Sequence, residues 1–171
     1  RGWLYTLEGQ EAAKKAFKMN AWNRFRVEAV GTSIRTWVNG VPCANIVDDL
    51  TPRGILALQV HSIGTDASRA GRIIRFRNVR IMTTRLDANR TPDKGATPQV
   101  NHIPNTLTAR ESRDGWKLLW DGKTTAGWRG AKLATFPEKG WEIRGGVLSV
   151  VETGGGEAVS GGDIVSVDQY A

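Results

Sequence analysis

A histidine and a glutamine share one face of the predicted strand ILALQVH, residues 55–61. Side chains alternate between the two faces of a strand, so Gln59 and His61 point one way while Leu58 and Val60 point the other. An imidazole changes its charge near neutral pH, so His61 could act as a general acid or base with Gln59 beside it. The alternative is a structural histidine at the end of a strand, and the sequence leaves both interpretations open.

Two other segments offer side chains suited to ligand binding. Trp37 shares a predicted strand face with Arg35 and Asn39, and an indole presents a broad apolar face with one polar N–H. Arg77, in the segment RIIRFRNVRI, carries a guanidinium, which is a fixed cationic hydrogen-bond donor. Alternatively, Trp37 packs into a core and Arg77 is a solvated charge on a strand face.

Metal-ligand spacing is missing from the sequence. The chain has one cysteine, Cys43, and two histidines, and these do not form a Cys/His cluster with the spacing of zinc ligands. We therefore predict no metal site, and the sequence leaves the cofactor requirement unknown.

Strands must position these candidates. In WNRFRVEAV, Phe25 and Val27 alternate with Arg26 and Glu28, which is the period-two pattern of a strand with one buried face. Two turns follow, at Gly31 and Thr32 and at Asn39 and Gly40, and the Asn-Gly pair favours a tight hairpin. Further strands are predicted over residues 72–82, 116–120 and 141–151, with tryptophans in a core, while residues 10–18 favour a short helix.

Composition and charge narrow the function. The net charge is +7, but the basic residues alternate singly with apolar ones and do not form a cluster interleaved with stacking aromatics, which argues against a nucleic-acid binder. No apolar run reaches about 18 residues, so no membrane span is predicted. The chain begins with arginine and has no leader, which suggests an excised piece of a longer protein.

The chain changes character in its middle. Residues 87–110 are rich in Pro, Asn, Asp and Thr, with few periodic apolar positions, as is typical of a linker. We therefore predict three parts: residues 1–86 form the C-terminal part of a first domain, residues 87–110 a linker, and residues 111–171 the N-terminal part of a second domain.

Both halves resemble one bacterial family, the 3-keto-disaccharide hydrolases, also described as a 3-keto-glucoside 1,2-lyase or 3-keto-2-hydroxy-glucal hydratase domain. The opening of that domain is similar to GWKLLWDGKTTAGWR, GWEIRGGVLSV and SGGDIVSVDQYA, which lie here within residues 115–171. Its closing part is similar to WNRFRVEAVGTSIRTWVNGVPCANIVDD, GILALQVHS and RIIRFRNVRI, within residues 22–81. The tail of one copy thus precedes the head of a second, which implies tandem domains in the parent protein.

The resemblance implies an all-β, concanavalin-A-like jelly-roll β-sandwich, here incomplete or in permuted order because the central strands appear in neither half. It also implies an enzyme that cleaves 3-keto-glycosides by C2 deprotonation, elimination and hydration. His61 would be the catalytic residue, and Gln59, Trp37, Asn39 and Arg77 would bind the glycoside or oligosaccharide substrate.

Two further expectations follow from this assignment. The parent protein would act in the periplasm or outside the cell. Exposed sheet edges would promote self-association. The alternative functions are a non-catalytic carbohydrate-binding module of the same fold and a structural or interaction domain.

Overall fold

The first half of the chain contains a three-stranded antiparallel meander. In the computed structural model, which describes residues 10–58, 64–95, 97–151 and 162–170, helix α1 (Gln10–Ala16) precedes strands β1 (Phe25–Val30), β2 (Ser33–Val38) and β3 (Val41–Val47). Strand β2 pairs with β1 on one side and with β3 on the other. The predicted helix and both predicted hairpins are confirmed.

The two turns of the meander fix its register. Gly31 has a φ of 59°, and Asn39 and Gly40 have φ values of 52° and 84°, a region that glycine and asparagine enter at low cost. Val30 therefore lies opposite Ser33, and Val38 opposite Val41. A bulge between Thr36 and Trp37 shifts the β2–β3 register by one residue.

One face of the meander is apolar and only partly covered. Helix α1 packs on β3 and β2, and in the described residues the buried apolar side chains are Ala13, Ala44 and Ile46. At the far side of the sheet, Phe25 and Val27 of edge strand β1 are 66% and 64% exposed. Among the described residues, the apolar side chains of β1 thus lack the opposing layer that a complete sandwich supplies.

The first compact unit covers residues 1–99. After the meander, its described residues contain two single-turn 3-10 helices, Ala67–Arg69 and Asp87–Asn89. Of the strand predicted over residues 55–61, residues 59–61 lie outside the described residues. Residues 55–58 and 72–82 are not in strands, so the described part of that prediction and the strand predicted over residues 72–82 are wrong. Their apolar side chains are exposed, with Ile55 at 94% and Ile73 at 72%. A strand needs a neighbour for its N–H and C=O groups, and an alternating pattern does not supply one.

The second compact unit covers residues 100–171. Its elements are strand β4 (Val100–Asn101), helix α2 (Ala109–Arg113), and strands β5 (Trp128–Gly130), β6 (Trp141–Arg144), β7 (Val147–Val150) and β8 (Ile164–Ser166). Strand β6 pairs with β7 across the predicted glycine turn, and β5 pairs with β8.

Helix α2 and the segment after it differ from expectation. Thr108 and Glu111 form a capping box at the N-terminus of α2, because each side chain binds the backbone N–H of the other residue. The strand predicted over residues 116–120 is wrong: the segment is irregular and Trp116 is 66% exposed. With strands, turns and short helices, the described residues nonetheless form an all-β fold, as expected for the sandwich class.

The boundary between the units follows Gln99, inside the predicted linker of residues 87–110. The tail-and-head division of the chain into residues 1–86 and 111–171 stays a prediction.

A glycine in the second unit gives a test of local packing. Gly122 has a φ of 77°, and a β-carbon there would overlap the side chain of Asn105, which donates a hydrogen bond of 2.8 Å to the Gly146 carbonyl. Gly127 has a similar φ of 81° but open space around it. Gly127→Ala should lower the free energy of unfolding by about 1–2 kcal/mol through backbone strain alone.

Gly122→Ala should cost about 1 kcal/mol more than Gly127→Ala, because it also displaces the Asn105 hydrogen bond. Urea unfolding followed by circular dichroism measures both variants. Equal losses for the two substitutions would show that Asn105 does not depend on the space at Gly122.

Candidate functional site

The polar face of the meander combines charge with one aromatic ring. The register places Arg26 opposite Trp37 and Glu28 opposite Arg35. All four side chains belong to the same face because they occupy alternate positions of paired strands. The exposed Arg26 lies toward one end of this face, whereas the Arg35 side chain is only 7% exposed.

Glu28 is the centre of a hydrogen-bond network. Its carboxylate accepts bonds from Arg26 Nη2 and Arg35 Nη2, each at 2.6 Å. It also accepts bonds from the Thr91 hydroxyl at 2.6 Å and from the Thr91 N–H at 3.0 Å. A carboxylate with charged donors and backbone donors is held firmly in its ionised form.

Burial and hydrogen bonding act in opposite directions on Glu28. Burial alone would raise the pKa of this carboxyl group, but the bonds from Thr91 and Arg26 and the charge of Arg35 outweigh it, so the pKa of Glu28 lies below its ordinary value. The ionised carboxylate is therefore the form that stabilises the folded unit.

Residues 89–95 and 97–99 form a strap that lies across this polar face. Arg26 Nη2 donates to the Asn89 carbonyl at 3.3 Å, and Arg35 Nη2 donates to the Thr91 carbonyl at 2.5 Å. At the other end, Gln99 Nε2 donates to Asn45 Oδ1 at 3.2 Å. The strap is thus tied to β1, β2 and β3 through side chains, and its described residues are not in strands.

The contacts under the strap satisfy most of its buried polar atoms. Asn45 is buried and also lies 3.5 Å from Asp93 through its Nδ2 atom. In the part of the chain that the structure describes, Arg35 Nε and Gln99 Oε1 are buried side-chain atoms without a hydrogen-bond partner. The network is therefore polar and tight, and it carries a desolvation cost.

An open groove of about 440 Å³ lies beside the strap. Its described lining consists of cations, an indole and small polar groups: Lys18, Arg24, Arg26, Trp37, Asn39, Gly40 and Thr91. Two predicted binding residues, Trp37 and Asn39, thus line one groove. Its volume is within the range of about 300–1,000 Å³ that is usual for small-molecule sites.

The Trp37 ring is bordered by two guanidinium groups. The Arg26 and Arg35 Cζ atoms are 5.8 Å and 5.4 Å from its centroid, close to the outer limit of about 6 Å for a cation–π contact. Trp37 is half-buried, so it is held in place while part of the ring faces the groove.

Asn39 supports the wall of the groove through its own hydrogen bonds. Its Nδ2 donates to the Ala16 carbonyl at 2.7 Å and to Asn23 Oδ1 at 2.8 Å. Its Oδ1 accepts from the Arg24 N–H at 2.8 Å. These bonds fix the hairpin turn and the backbone at Arg24, so Asn39 positions the groove as well as lining it.

Arg77 has a different aromatic partner. Its Cζ atom lies 3.9 Å from the centroid of the Trp22 ring, which is a close cation–π contact. Arg77 is not among the described residues that line the groove. Gln59 and His61 lie outside the described residues, so their positions relative to Trp37 stay predictions.

Across residues 10–58, 64–95, 97–151 and 162–170, no three His, Cys, Asp or Glu side chains are grouped to hold a metal ion. Within the same ranges, no helix has the length and apolar character needed to cross a membrane.

Sequence reasoning missed the pair formed by Glu28 and Arg35, although a signal for it existed. A two-residue turn at Gly31 and Thr32 places Glu28 directly opposite Arg35, and opposite charges at such positions attract. The role of Thr91 had no local signal, because it lies 63 residues from Glu28.

The lowered pKa of Glu28 predicts a pH dependence of stability. Because the pKa is lower in the folded chain, the stabilisation is present above the unfolded value of about 4.3 and is lost as the pH falls through the folded value. At neutral pH, Glu28→Gln should lower the free energy of unfolding by about 2–3 kcal/mol, since Arg35 loses its charged partner. As the pH falls below the folded pKa of Glu28, the free energies of unfolding of the variant and the original chain should converge.

Urea titrations between about pH 3 and pH 7 measure this difference, over the range in which a carboxyl group changes its charge. Asp49→Asn is the control, because Asp49 is exposed and its loss should change stability by less than about 0.5 kcal/mol. A Glu28→Gln effect that is the same at both ends of the pH range would contradict the assigned role.

Comparison with known proteins gives a family for the first part of the chain. Residues 1–82 match the model of the 3-keto-alpha-glucoside-1,2-lyase-like domain. No match was found among curated proteins. The matched range contains every predicted site residue: Trp37 and Asn39 in the groove, Arg77 on the Trp22 ring, and Gln59 and His61 outside the described residues. Residues 1–82 therefore belong to the family of 3-keto-alpha-glucoside-1,2-lyase-like domains.

Proposed function

We propose that the parent protein cleaves the glycosidic bond of 3-keto-glycosides. The observation that carries this proposal is the family match over residues 1–82. The groove supports it, because an indole and a hydrogen-bonded polar wall suit a sugar ring. The match assigns residues 1–82 to a family of carbohydrate-active enzymes, and we propose the cleavage of 3-keto-glycosides by elimination and hydration.

The proposed reaction begins at the carbon next to the ketone. The C3 ketone acidifies the C2 proton, so a base removes that proton and an enolate forms. The enolate then re-forms the C3 ketone, and its C2–C3 electron pair becomes the C1–C2 double bond as the C1–O bond breaks. The leaving oxygen takes up a proton. Water adds across C1–C2 and restores the 3-keto-sugar.

The proposed roles follow from this sequence of steps. His61 removes the C2 proton, and Gln59, Trp37 and Asn39 bind the sugar. Arg77 donates to a sugar hydroxyl or to the enolate, for which a guanidinium is a suitable fixed cation. Because an elimination needs one base and one enolate stabiliser, this reaction does not require the two opposed carboxylates of ordinary glycosidases.

A non-catalytic carbohydrate-binding module is the second candidate. One observation favours it: among the described residues that line the groove, none carries an imidazole or a carboxylate. Under this alternative, Trp37 and the surrounding polar groups would bind a glycan without changing it.

We also propose that the parent protein acts in the periplasm or outside the cell, where glycans are encountered. Fractionation of the source cells tests this, and recovery of the protein in the cytoplasm would contradict it.

The catalytic proposal predicts different effects for the two histidines. With 4-nitrophenyl 3-keto-glucoside as substrate, His61→Ala should lower kcat by about 10²–10⁴-fold, which is the usual contribution of a general base. His102→Ala is the matched control, since His102 belongs to the second compact unit, and it should leave kcat within a factor of two or so. Release of nitrophenolate measures turnover.

Each outcome of the histidine experiment separates the two candidate functions. Turnover that depends on His61 supports the enzyme. Binding of the substrate without turnover by the original chain supports the binding module, and turnover that survives His61→Ala overturns the assignment of the base.

We further propose that the chain self-associates through its exposed sheet edge. Strand β1 lies at an edge of its sheet, and its Val27 side chain is 64% exposed. Such an edge is a template for pairing with another chain, and a lysine there opposes pairing. Val27→Lys should therefore shift the chain toward monomer.

Size-exclusion chromatography with light scattering measures the molar mass of each variant. Val79→Lys is the matched control, because Val79 is 69% exposed but lies outside the strands, and its molar mass should equal that of the original chain. A monomeric original chain, or an equal effect of both substitutions, would contradict association through the edge.

A further inference from the structure

The groove beside Trp37 has a one-sided charge. Lys18, Arg24 and Arg26 line it, and none of its described lining residues is an aspartate or a glutamate. Glu28 binds Arg26 from outside the lining, but the same carboxylate also binds Arg35. One carboxylate thus serves two guanidiniums, and the groove keeps a positive charge.

The backbone bonds around the groove hold two of these cations at its wall. The Lys18 N–H donates to Asn23 Oδ1 at 2.8 Å, and the Arg24 N–H donates to Asn39 Oδ1 at 2.8 Å. Asn23 Nδ2 also donates to the Lys18 carbonyl at 2.7 Å. The Asn23–Asn39 contact at 2.8 Å then joins both positions. The backbone is therefore fixed while the two side chains stay exposed.

This arrangement costs stability unless a counter-charge is present. Three cations around one groove repel each other, and a groove lined by one sign of charge concentrates ligands of the other sign. A neutral sugar would gain little from this charge, whereas a carboxylate would gain charge-assisted hydrogen bonds from ammonium and guanidinium groups.

We propose that the groove selects a sugar that carries an acidic group, and specifically a uronoside. Its pyranose ring would lie on Trp37, and its carboxylate would be bound by Lys18 and Arg24. This inference rests on the proposed function, because it names the class of glycoside for the same groove, but it concerns binding and does not depend on turnover.

Isothermal titration with two matched probes tests the proposal. Methyl β-glucuronide and methyl β-glucoside differ at C6, where one has a carboxylate and the other a hydroxymethyl group. At about 0.01 M ionic strength, where the Debye length is about 30 Å, the glucuronide should bind at least about tenfold more tightly, as expected for one additional charge-assisted hydrogen bond. This preference should decrease as salt is added.

A double substitution locates the preference. Lys18→Gln with Arg24→Gln keeps the backbone bonds described above and should abolish the preference for the glucuronide. Arg53→Gln with Lys94→Gln is the control of equal charge change, because both residues are exposed and neither lines the groove. The control should keep the preference within about twofold.

The remaining outcomes also decide the question. Equal binding of the two methyl sugars, no binding of either, or a preference that survives the Lys18 and Arg24 substitutions would overturn the proposal. Inorganic sulfate or a single-stranded oligonucleotide that binds more tightly than the glucuronide would also overturn it. A methyl glucoside 6-sulfate that binds as well as the glucuronide would support an acidic sugar and widen its class beyond carboxylates.

The design separates this inference from the enzymatic proposal. If the original chain does not turn over 3-keto-glucosides but prefers the glucuronide, the enzymatic proposal is refuted and the acidic-sugar groove is supported. Turnover of 3-keto-glucosides without a preference for the glucuronide would support the enzyme and refute the acidic-sugar groove.

Discussion

The ion pair between Glu28 and Arg35 is the interaction on which the first unit depends. The two residues face each other across β1 and β2, at 2.6 Å, and both are largely shielded from water. Each also bonds to Thr91, so one pair of charges fixes both the hairpin and the strap above it. Without the strap, both charged side chains would be exposed to water. Without the two charges, the strap would lose its hydrogen bonds at Thr91.

The same pair shapes the groove. Arg35 borders the Trp37 ring, and Glu28 orients Arg26, which borders the ring from its own position. The ring is therefore set between guanidiniums that are themselves held by a carboxylate. In this unit, the feature that stabilises the fold also determines which side chains can meet a ligand.

The apolar side of the meander is organised differently. Three small or medium side chains are buried there in the described residues, while Phe25 and Val27 of β1 remain exposed. A small core contributes little hydrophobic stabilisation. Polar contacts between the strap and the sheet consequently contribute a larger share of the folding stability than they do in a complete sandwich.

The sequence by itself determined the three-stranded meander, the β6–β7 hairpin and the family of the first part of the chain. Period-two alternation and the turns at Gly31 and Asn39 were sufficient to predict β1, β2 and β3, because such turns dictate both pairing and register. The glycines between β6 and β7 did the same in the second unit. The motifs within residues 22–81 also indicated the family whose model matches residues 1–82.

Only the tertiary structure decided which residues meet. Thr91 contacts Glu28, and Gln99 contacts Asn45, across more than 50 residues of chain. No local sequence pattern predicts a contact between residues so far apart in the sequence. Alternation over residues 72–82 predicted a strand that is absent, because a strand forms only where a neighbouring strand accepts its hydrogen bonds. An alternating pattern of side chains favours a strand, but the strand forms only if a neighbouring strand is present to pair with it.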